Sequence, residues 1–177
     1  PGLFSVAAAD RALRAIEEAL HPRWVEWSQE TARTLVDVGL RMARCWDLAA
    51  VHRLLFGGWR ADPGRVWAAL HDLPTATIPV DRPVDLFTAL EPDDGDTEEP
   101  VRADGHLRPE WAAGGWATPE RVARWAALAL TASDLQAEQL EALLSERPAA
   151  LRTARAESTT ELLCAELAAD GLPMDLT

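Results

Sequence analysis

The fold is decided by residues 23–56, RWVEWSQETARTLVDVGLRMARCWDLAAVHRLLF. Residues 23–27 alternate and are rich in β-forming side chains, and residues 40–46 fit a second short strand. One helix is expected over residues 28–38 and another over residues 48–56, which gives the order β-α-β-α. Strands joined by a single helix are usually parallel neighbours with a right-handed crossover. The stretch therefore predicts a fragment of a parallel α/β sheet.

Capping residues mark the ends of these helices and the start of two others. Ser28 and Asp47 are placed to cap the two helices of the stretch, and Gly39 is a left-handed stop between them. Asp62 and Thr118 are each followed by a proline, so each combines a cap with a first-turn proline. We expect a helix to begin at both positions.

Further helices are predicted on either side. Residues 7–20 have apolar side chains at helical spacing, and the helix that begins at Thr118 is expected to continue to Pro148. A last helix is expected from about Ser158 to Gly171, with Leu163 and Leu167 on its apolar face.

The segment 74–115 has a different character. Prolines recur, helical periodicity is lost, and residues 91–104 hold seven acidic residues against one Arg. This composition is typical of a mobile, solvated loop. An acidic run of this kind can also bind a basic partner, so a stand-alone acidic protein-interaction domain is an alternative function for the chain.

The overall charge argues against strong nucleic-acid binding by this chain alone. Hydrophobic residues make up 48% and charged residues 26%, which is the balance of an ordinary globular protein, but the formal net charge is −12. DNA is held chiefly by clustered basic residues that displace its counterions. Any DNA contact would have to come from local Arg clusters, such as Arg41 with Arg44, or Arg147, Arg152 and Arg155. A solvated face is the competing interpretation of each cluster.

Location is indicated by three features of the sequence. No apolar run reaches the roughly 18 residues of a membrane span, and residues 1–20 lack the layout of a signal peptide. Cys45 and Cys164 lie far apart, which favours reduced, buried thiols over a disulfide framework. We expect a cytoplasmic protein with no membrane partner.

A search for chemistry assigns no catalytic, metal-binding or cofactor-binding residue. The four histidines lie on different predicted elements without the i, i+4 spacing of a metal site, and there is no nucleophile elbow or P-loop. Asp47 is the best single carboxylate, at the end of the second strand, but a helix cap explains it better. A nuclease that uses Asp47 together with Glu26 is a third, minor hypothesis.

Eight tryptophans could form a stacking platform for bases. Trp67 and Trp125 fall on the apolar stripes of their helices, however, which favours core packing. Trp24 and Trp27 lie around the first strand, and packing is expected for them also. Trp111 and Trp116 are harder to place, and could pack the loop back onto the body.

Two stretches, taken together, resemble a known family. The first runs from Arg23-Trp24-Val25 through Thr31-Ala32-Arg33 and Gly39 to Arg44-Cys45-Trp46-Asp47-Leu48. The second runs from Glu157-Ser158 through Glu161-Leu162-Leu163 and Glu166-Leu167 to Asp170-Gly171-Leu172-Pro173-Met174-Asp175. Both resemble bacterial family A polymerases related to DNA polymerase I and described as bifunctional 3′–5′ exonuclease/DNA polymerases. The resemblance covers roughly residues 7–73 and 116–175.

The resemblance implies an exonuclease region without its catalytic carboxylates. In the family, activity needs a D-x-E pair, an N-x-x-x-D motif and a Y-x-x-x-D motif. No D-x-E precedes the strand at Trp24. Thr31 stands where the Asp of the second motif would fall, and Trp125 with Ala129 stand where the Tyr and Asp of the third are expected. Proofreading by these residues is therefore not expected.

We accordingly predict a helix-rich α/β fold with a reduced ribonuclease-H-like, 3′–5′ exonuclease-like sheet, flanking helices and a disordered acidic loop. Residues 1–73 would form its degenerate exonuclease-like α/β part, 74–115 the acidic loop, 116–156 a helical part of the same domain, and 157–177 a helix leading into the polymerase.

The resemblance further implies a non-catalytic scaffold for DNA replication or repair, with the rest of the polymerase chain as its partner. DNA would be bound through the parent protein, with possible contacts at Arg147, Arg152 and Arg155. No cofactor is expected here, and Mg²⁺ would belong to the polymerase site.

Overall fold

A computed structural model describes residues 6–80, 99–112 and 118–171 of the chain. Its helices and strands form a helix-rich α/β fold around one small parallel sheet, as the sequence predicted. In chain order they are α1 (Val6–Leu20), β1 (Trp24–Glu26), α2 (Gln29–Asp37), β2 (Cys45–Asp47), α3 (Leu48–Phe56), α4 (Pro63–Leu70), a 3-10 turn (Thr75–Thr77), α5 (Pro109–Ala112), α6 (Pro119–Ala142) and α7 (Ala150–Asp170).

The sheet has two parallel strands in the described part of the chain. Its register pairs Trp24 with Cys45 and Glu26 with Asp47. The second strand was predicted over residues 40–46, and this is wrong for residues 40–44, because a strand extends only as far as it has a partner to hydrogen-bond. The partner strand β1 begins at Trp24, directly after a turn in which His21 has a φ of +42°.

Helices cover both faces of the sheet. Trp24 and Cys45 lie on one face, in an apolar cluster that also contains Val36 of α2 and Leu162 of α7. Trp46 lies on the other face, in the larger cluster formed with α3, α4 and α6. Successive side chains along a strand point to opposite faces of the sheet, which separates Trp46 from Trp24 and Cys45.

The capping predictions are mostly confirmed. Oδ1 of Asp47 accepts a hydrogen bond from the Ala50 amide at 2.7 Å, and Asp62 and Thr118 accept equivalent bonds at the starts of α4 and α6. Ser28 is the N-cap residue of α2 as predicted, but its side chain makes no capping hydrogen bond. Gly39 ends the α2 segment with a φ of +84°.

Helix α7 begins at Ala150 and not near Ser158. Its buried side chains are Ala154, Ser158, Leu162 and Ala165. The predicted packed residues Leu163 and Leu167 are instead exposed, because the side of the helix that meets β2 and α2 carries small residues, which allow close approach.

Residues 99–112 are ordered and not a solvated loop. Val101 and Leu107 form an antiparallel bridge, α5 follows, and the Trp111 side chain is fully buried. Trp111 thus packs this segment onto the body, because burying an indole supplies a large apolar contact. Residues 81–98, Trp116 and the exit at residues 172–175 lie outside the described part, as does most of the acidic segment.

One buried amide joins α6 to the sheet. Oε1 of Gln136 accepts a hydrogen bond from the indole nitrogen of Trp46, and its Nε2 donates to the Leu48 carbonyl, both at 2.9 Å. The Gln136 side chain has no solvent exposure. It therefore satisfies two buried polar groups that water cannot reach.

Replacing Gln136 with Leu should lower the free energy of unfolding by about 2–4 kcal/mol, because each buried partner left without a hydrogen bond costs about 1–3 kcal/mol. Urea denaturation measures the change. Gln139→Leu, on a half-buried position of the same helix, is the matched control and should change stability by about 0.5 kcal/mol or less. Equal effects of the two substitutions would contradict the prediction.

Candidate functional site

A cleft lies beside the carboxyl end of β1, between α2 and α6. Its volume is about 590 Å³. Trp27 and Ser28, which follow β1 directly, form one wall, and residues of α2 and α6 form the others. The carboxyl ends of strands are where α/β sheets commonly place their ligand sites.

The cleft brings together three residues that were singled out in the sequence through the resemblance. Thr31 on α2 and both Trp125 and Ala129 on α6 line it. They are separated by about a hundred residues in sequence, and only the fold makes them neighbours. The rings of Trp27 and Trp125 stack with centroids 4.6 Å apart, so aromatic surface fills the inner part of the cleft.

The chemistry available in this cleft is limited. Its described lining contains one carboxylate, that of Glu30, which is exposed; the remaining side chains are neutral. Two-metal phosphodiester cleavage needs several carboxylate oxygens that converge on ions about 4 Å apart. The Thr31 hydroxyl and the Ala129 methyl group in the cleft wall supply none of that negative charge.

Two carboxylates instead meet on the opposite face of the sheet. Glu26 and Asp47 are cross-strand partners at the ends of β1 and β2, with exposed fractions of 2% and 1%. Burial raises the pKa of Glu26 to about 8, and the neighbouring charge of Asp47 contributes in the same direction. Burial also raises the pKa of Asp47 to about 6, against hydrogen bonds from the backbone that lower it.

Helix α7 closes over this pair. The Asp47 amide donates to Oγ of Ser158 at 3.1 Å, and the Cys45 thiol donates to the Ser158 carbonyl at 3.1 Å. Glu161, one turn further along, forms an ion pair with Arg53 at 2.5 Å. One oxygen of each buried carboxyl, Oε2 of Glu26 and Oδ2 of Asp47, has no hydrogen-bond partner, which favours their neutral forms.

The remaining residues considered for chemistry are dispersed. His52 and His106 are buried, whereas His21 and His71 are exposed. Cys45 is buried as predicted, and burial raises the pKa of its thiol. Cys164 is exposed, so the expectation that both thiols are buried is wrong for it. Within residues 6–80, 99–112 and 118–171, no group of three metal-ligating side chains is assembled.

The predicted DNA-contact residues lie around the start of α7. Arg147 precedes the helix, and Arg152 and Arg155 are on its first two turns. All three side chains are exposed, and none forms an ion pair with a described residue. Arg147 also borders an apolar groove of about 220 Å³ between α3 and α6.

A third cavity, which the sequence analysis missed, lies at the turn between α3 and α4. Its volume is about 390 Å³, and its walls include His52, Trp59, Arg60 and Arg65. The available signal was an indole followed by an arginine directly after two glycines.

Comparisons with known proteins give no relative for this chain: no family model, no curated protein and no solved structure matches it. Among the described helices, none is both long enough and apolar enough to cross a membrane.

The buried pair Glu26 and Asp47 should make the chain less stable as pH rises. Their pKa values are higher in the folded chain than the usual 4.5 and 3.8, so the folded state holds more protons between about pH 4 and pH 8. The stabilisation is complete below this range and is lost as pH rises through the raised values, with a slope of at most about 1.4 kcal/mol per pH unit for one carboxyl.

Glu26→Gln isolates this effect, because the amide cannot ionise. From urea denaturation between pH 5 and pH 8, the stability of the variant relative to the original chain should increase with pH. Buried histidines contribute equally to both proteins and cancel in the difference. Exposed Glu30→Gln is the control and should show no such trend, and parallel curves for Glu26→Gln and the original chain would refute the assignment.

Proposed function

We propose that this chain is a degenerate, non-catalytic 3′–5′ exonuclease-like domain from the front of a DNA polymerase related to DNA polymerase I. Its two strands would be the remnant of a ribonuclease-H-like sheet. Its role would be to pack against the polymerase body as a scaffold. The resemblance in sequence supplies this hypothesis, and the arrangement of the cleft supports it.

The observation that carries the proposal is the convergence of Thr31, Trp125 and Ala129 on one cleft at the end of β1. These residues were matched to two motifs from their sequence context alone. An active site of the family requires both motifs to face the same space beside the sheet.

The burial of Glu26 and Asp47 supports the non-catalytic part of the proposal. A metal ion that bridges protein and DNA must reach solvent-accessible carboxylate oxygens, but these two carboxyls are shielded by α7. Their raised pKa values also favour protonation, which weakens metal coordination. A nuclease built on this pair would need α7 to move.

Several further features go with the proposal. Mg²⁺ would be used by the polymerase site, whose carboxylates would follow Thr177. The protein would be cytoplasmic, because a polymerase acts on DNA.

The reading frame gives the first test of the proposal. Continuation past Thr177 into a polymerase supports the scaffold, whereas a stop codon there would favour the stand-alone acidic interaction domain.

The purified chain should not degrade 3′-labelled single-stranded DNA in the presence of Mg²⁺ or Mn²⁺. The physical reason is the lack of converging, accessible carboxylates in the cleft. Release of labelled nucleotide measures the activity, with Asp47→Asn as the matched variant because an Asn oxygen can still cap α3. Metal-dependent digestion that is abolished in Asp47→Asn would sink the proposal and point to a site made by Asp47 and Glu26.

The Arg cluster at the start of α7 gives a separate test on the parent polymerase. If Arg152 and Arg155 touch DNA phosphates, reversing both charges to Glu should weaken binding and make the dependence of affinity on salt shallower. A salt series of DNA titrations measures both quantities. Exposed Arg33→Glu is the control, and unchanged affinity in the Arg152→Glu, Arg155→Glu variant would exclude a contact there.

A further inference from the structure

The cavity at the turn between α3 and α4 has features that the turn itself does not require. It is about 390 Å³ in volume, within the size range of small-ligand sites. The side chains that matter in its wall are those of His52, Phe56, Trp59, Arg60 and Arg65. None of them takes part in the cleft beside β1.

Two consecutive glycines build the turn. Gly57 and Gly58 have φ values of +74° and +75°, which side chains other than that of glycine rarely adopt. A Cβ at either position would meet no neighbouring atom, so the backbone conformation and not crowding requires glycine. The turn ends α3 and leads the chain outward at Trp59.

Trp59 stands out among the described tryptophans because its side chain is 83% exposed. Phe56, three residues earlier, is 45% exposed and lies in the same wall. An indole held in water exposes a large apolar area and gains none of the packing that Trp27, Trp67 and Trp125 obtain. A flat aromatic face at the mouth of a cavity is suited to stacking on another ring.

The wall is locally basic in an otherwise acidic chain. Arg60 and Arg65 both line the cavity, and no Asp or Glu does. The guanidinium of Arg60 lies 6.0 Å from the centre of the Trp59 ring. Arg65 is only loosely paired with Asp62, at 4.0 Å, and its Nε has no hydrogen-bond partner. The two guanidinium groups give the cavity wall a positive charge, and no Asp or Glu of the wall balances it.

His52 adds a buried polar side chain to the wall. Its side chain is 3% exposed, and its Nδ1 has no hydrogen-bond partner. Burial lowers the pKa of the imidazole, so it is neutral at pH 7 and can donate or accept one hydrogen bond. A buried polar atom without a partner costs free energy unless a ligand satisfies it.

We propose that this cavity binds a nucleotide. The base stacks on Trp59, the phosphate is held by Arg60 and Arg65, and His52 offers a hydrogen bond to a polar edge of the ligand. A free mononucleotide and a nucleotide within a single DNA strand share this chemistry. The site does not depend on the proposed function, because none of its residues belongs to the motifs that carry the resemblance.

The test uses the whole chain and a fluorescein-labelled single-stranded oligodeoxyadenylate of about ten nucleotides, a length in the range that single-strand sites cover. Fluorescence anisotropy gives the affinity, and unlabelled dAMP and inorganic phosphate are the competitors. Trp59→Ala and Arg60→Glu should each weaken binding about tenfold, and Trp59→Phe should retain most of it. Arg33→Glu, an exposed charge reversal on α2, is the control.

The outcomes separate clearly. Displacement of the oligonucleotide by dAMP assigns the site to free nucleotides, and failure of dAMP to displace it assigns the site to a nucleotide within a strand. Binding that is unchanged in Trp59→Ala, equally reduced in Arg33→Glu, or absent from the original chain overturns the proposal. If inorganic phosphate displaces the oligonucleotide as effectively as dAMP does, the base contributes nothing to binding and the proposal is also overturned. Urea denaturation should show Trp59→Ala as stable as the original chain.

Discussion

A parallel sheet of two strands with three residues each has to be held in place by its neighbours. The two strands make few hydrogen bonds to each other. In a larger sheet, the backbone groups on their outer edges would form hydrogen bonds with further strands. Here helices take that role through two buried side chains. Gln136 of α6 bonds to Trp46 and to the Leu48 carbonyl, and Ser158 of α7 bonds to the Asp47 amide. Together with the apolar clusters on the two faces, these contacts hold α6 and α7 against the sheet.

The same contacts determine where charge and apolar surface lie. Ser158 draws α7 onto the face that carries Glu26 and Asp47, so these carboxyls are removed from water and favour their protonated forms. Gln136 draws α6 onto the other face, where Trp125 reaches Trp27 beside the cleft. Thr31 and Ala129 in the cleft walls carry no charge, and the Glu30 carboxylate there is exposed. A cleft of this composition favours aromatic packing over metal coordination.

Local patterns predicted the elements well, whereas contacts between distant residues were not predictable. Asp47, Asp62 and Thr118 cap helices as expected, because a cap involves atoms within three residues. Ser158 was taken for the start of α7, since nothing nearby in sequence indicates that its hydroxyl meets β2. Trp111 orders residues that composition assigned to a loop, because one buried indole outweighs the polar residues around it. Thr31, Trp125 and Ala129 were singled out only through the resemblance, and their meeting in one cleft depends on the packing of helices that are distant in sequence.

Net charge is a poor guide to what a particular surface of this chain can bind. The total of −12 sums over the whole sequence, whereas a ligand at a surface responds to charges within about 10 Å at ordinary ionic strength. At the α3–α4 turn the cavity wall contains Arg60 and Arg65, and no carboxylate residue lines it, although Asp62 lies 4.0 Å from Arg65. The acidic remainder repels a long polyanion but affects a single phosphate much less. Recognition of an anion by this chain is therefore expected to be confined to one small site, and extended DNA contact would require positive charge from another part of a larger protein.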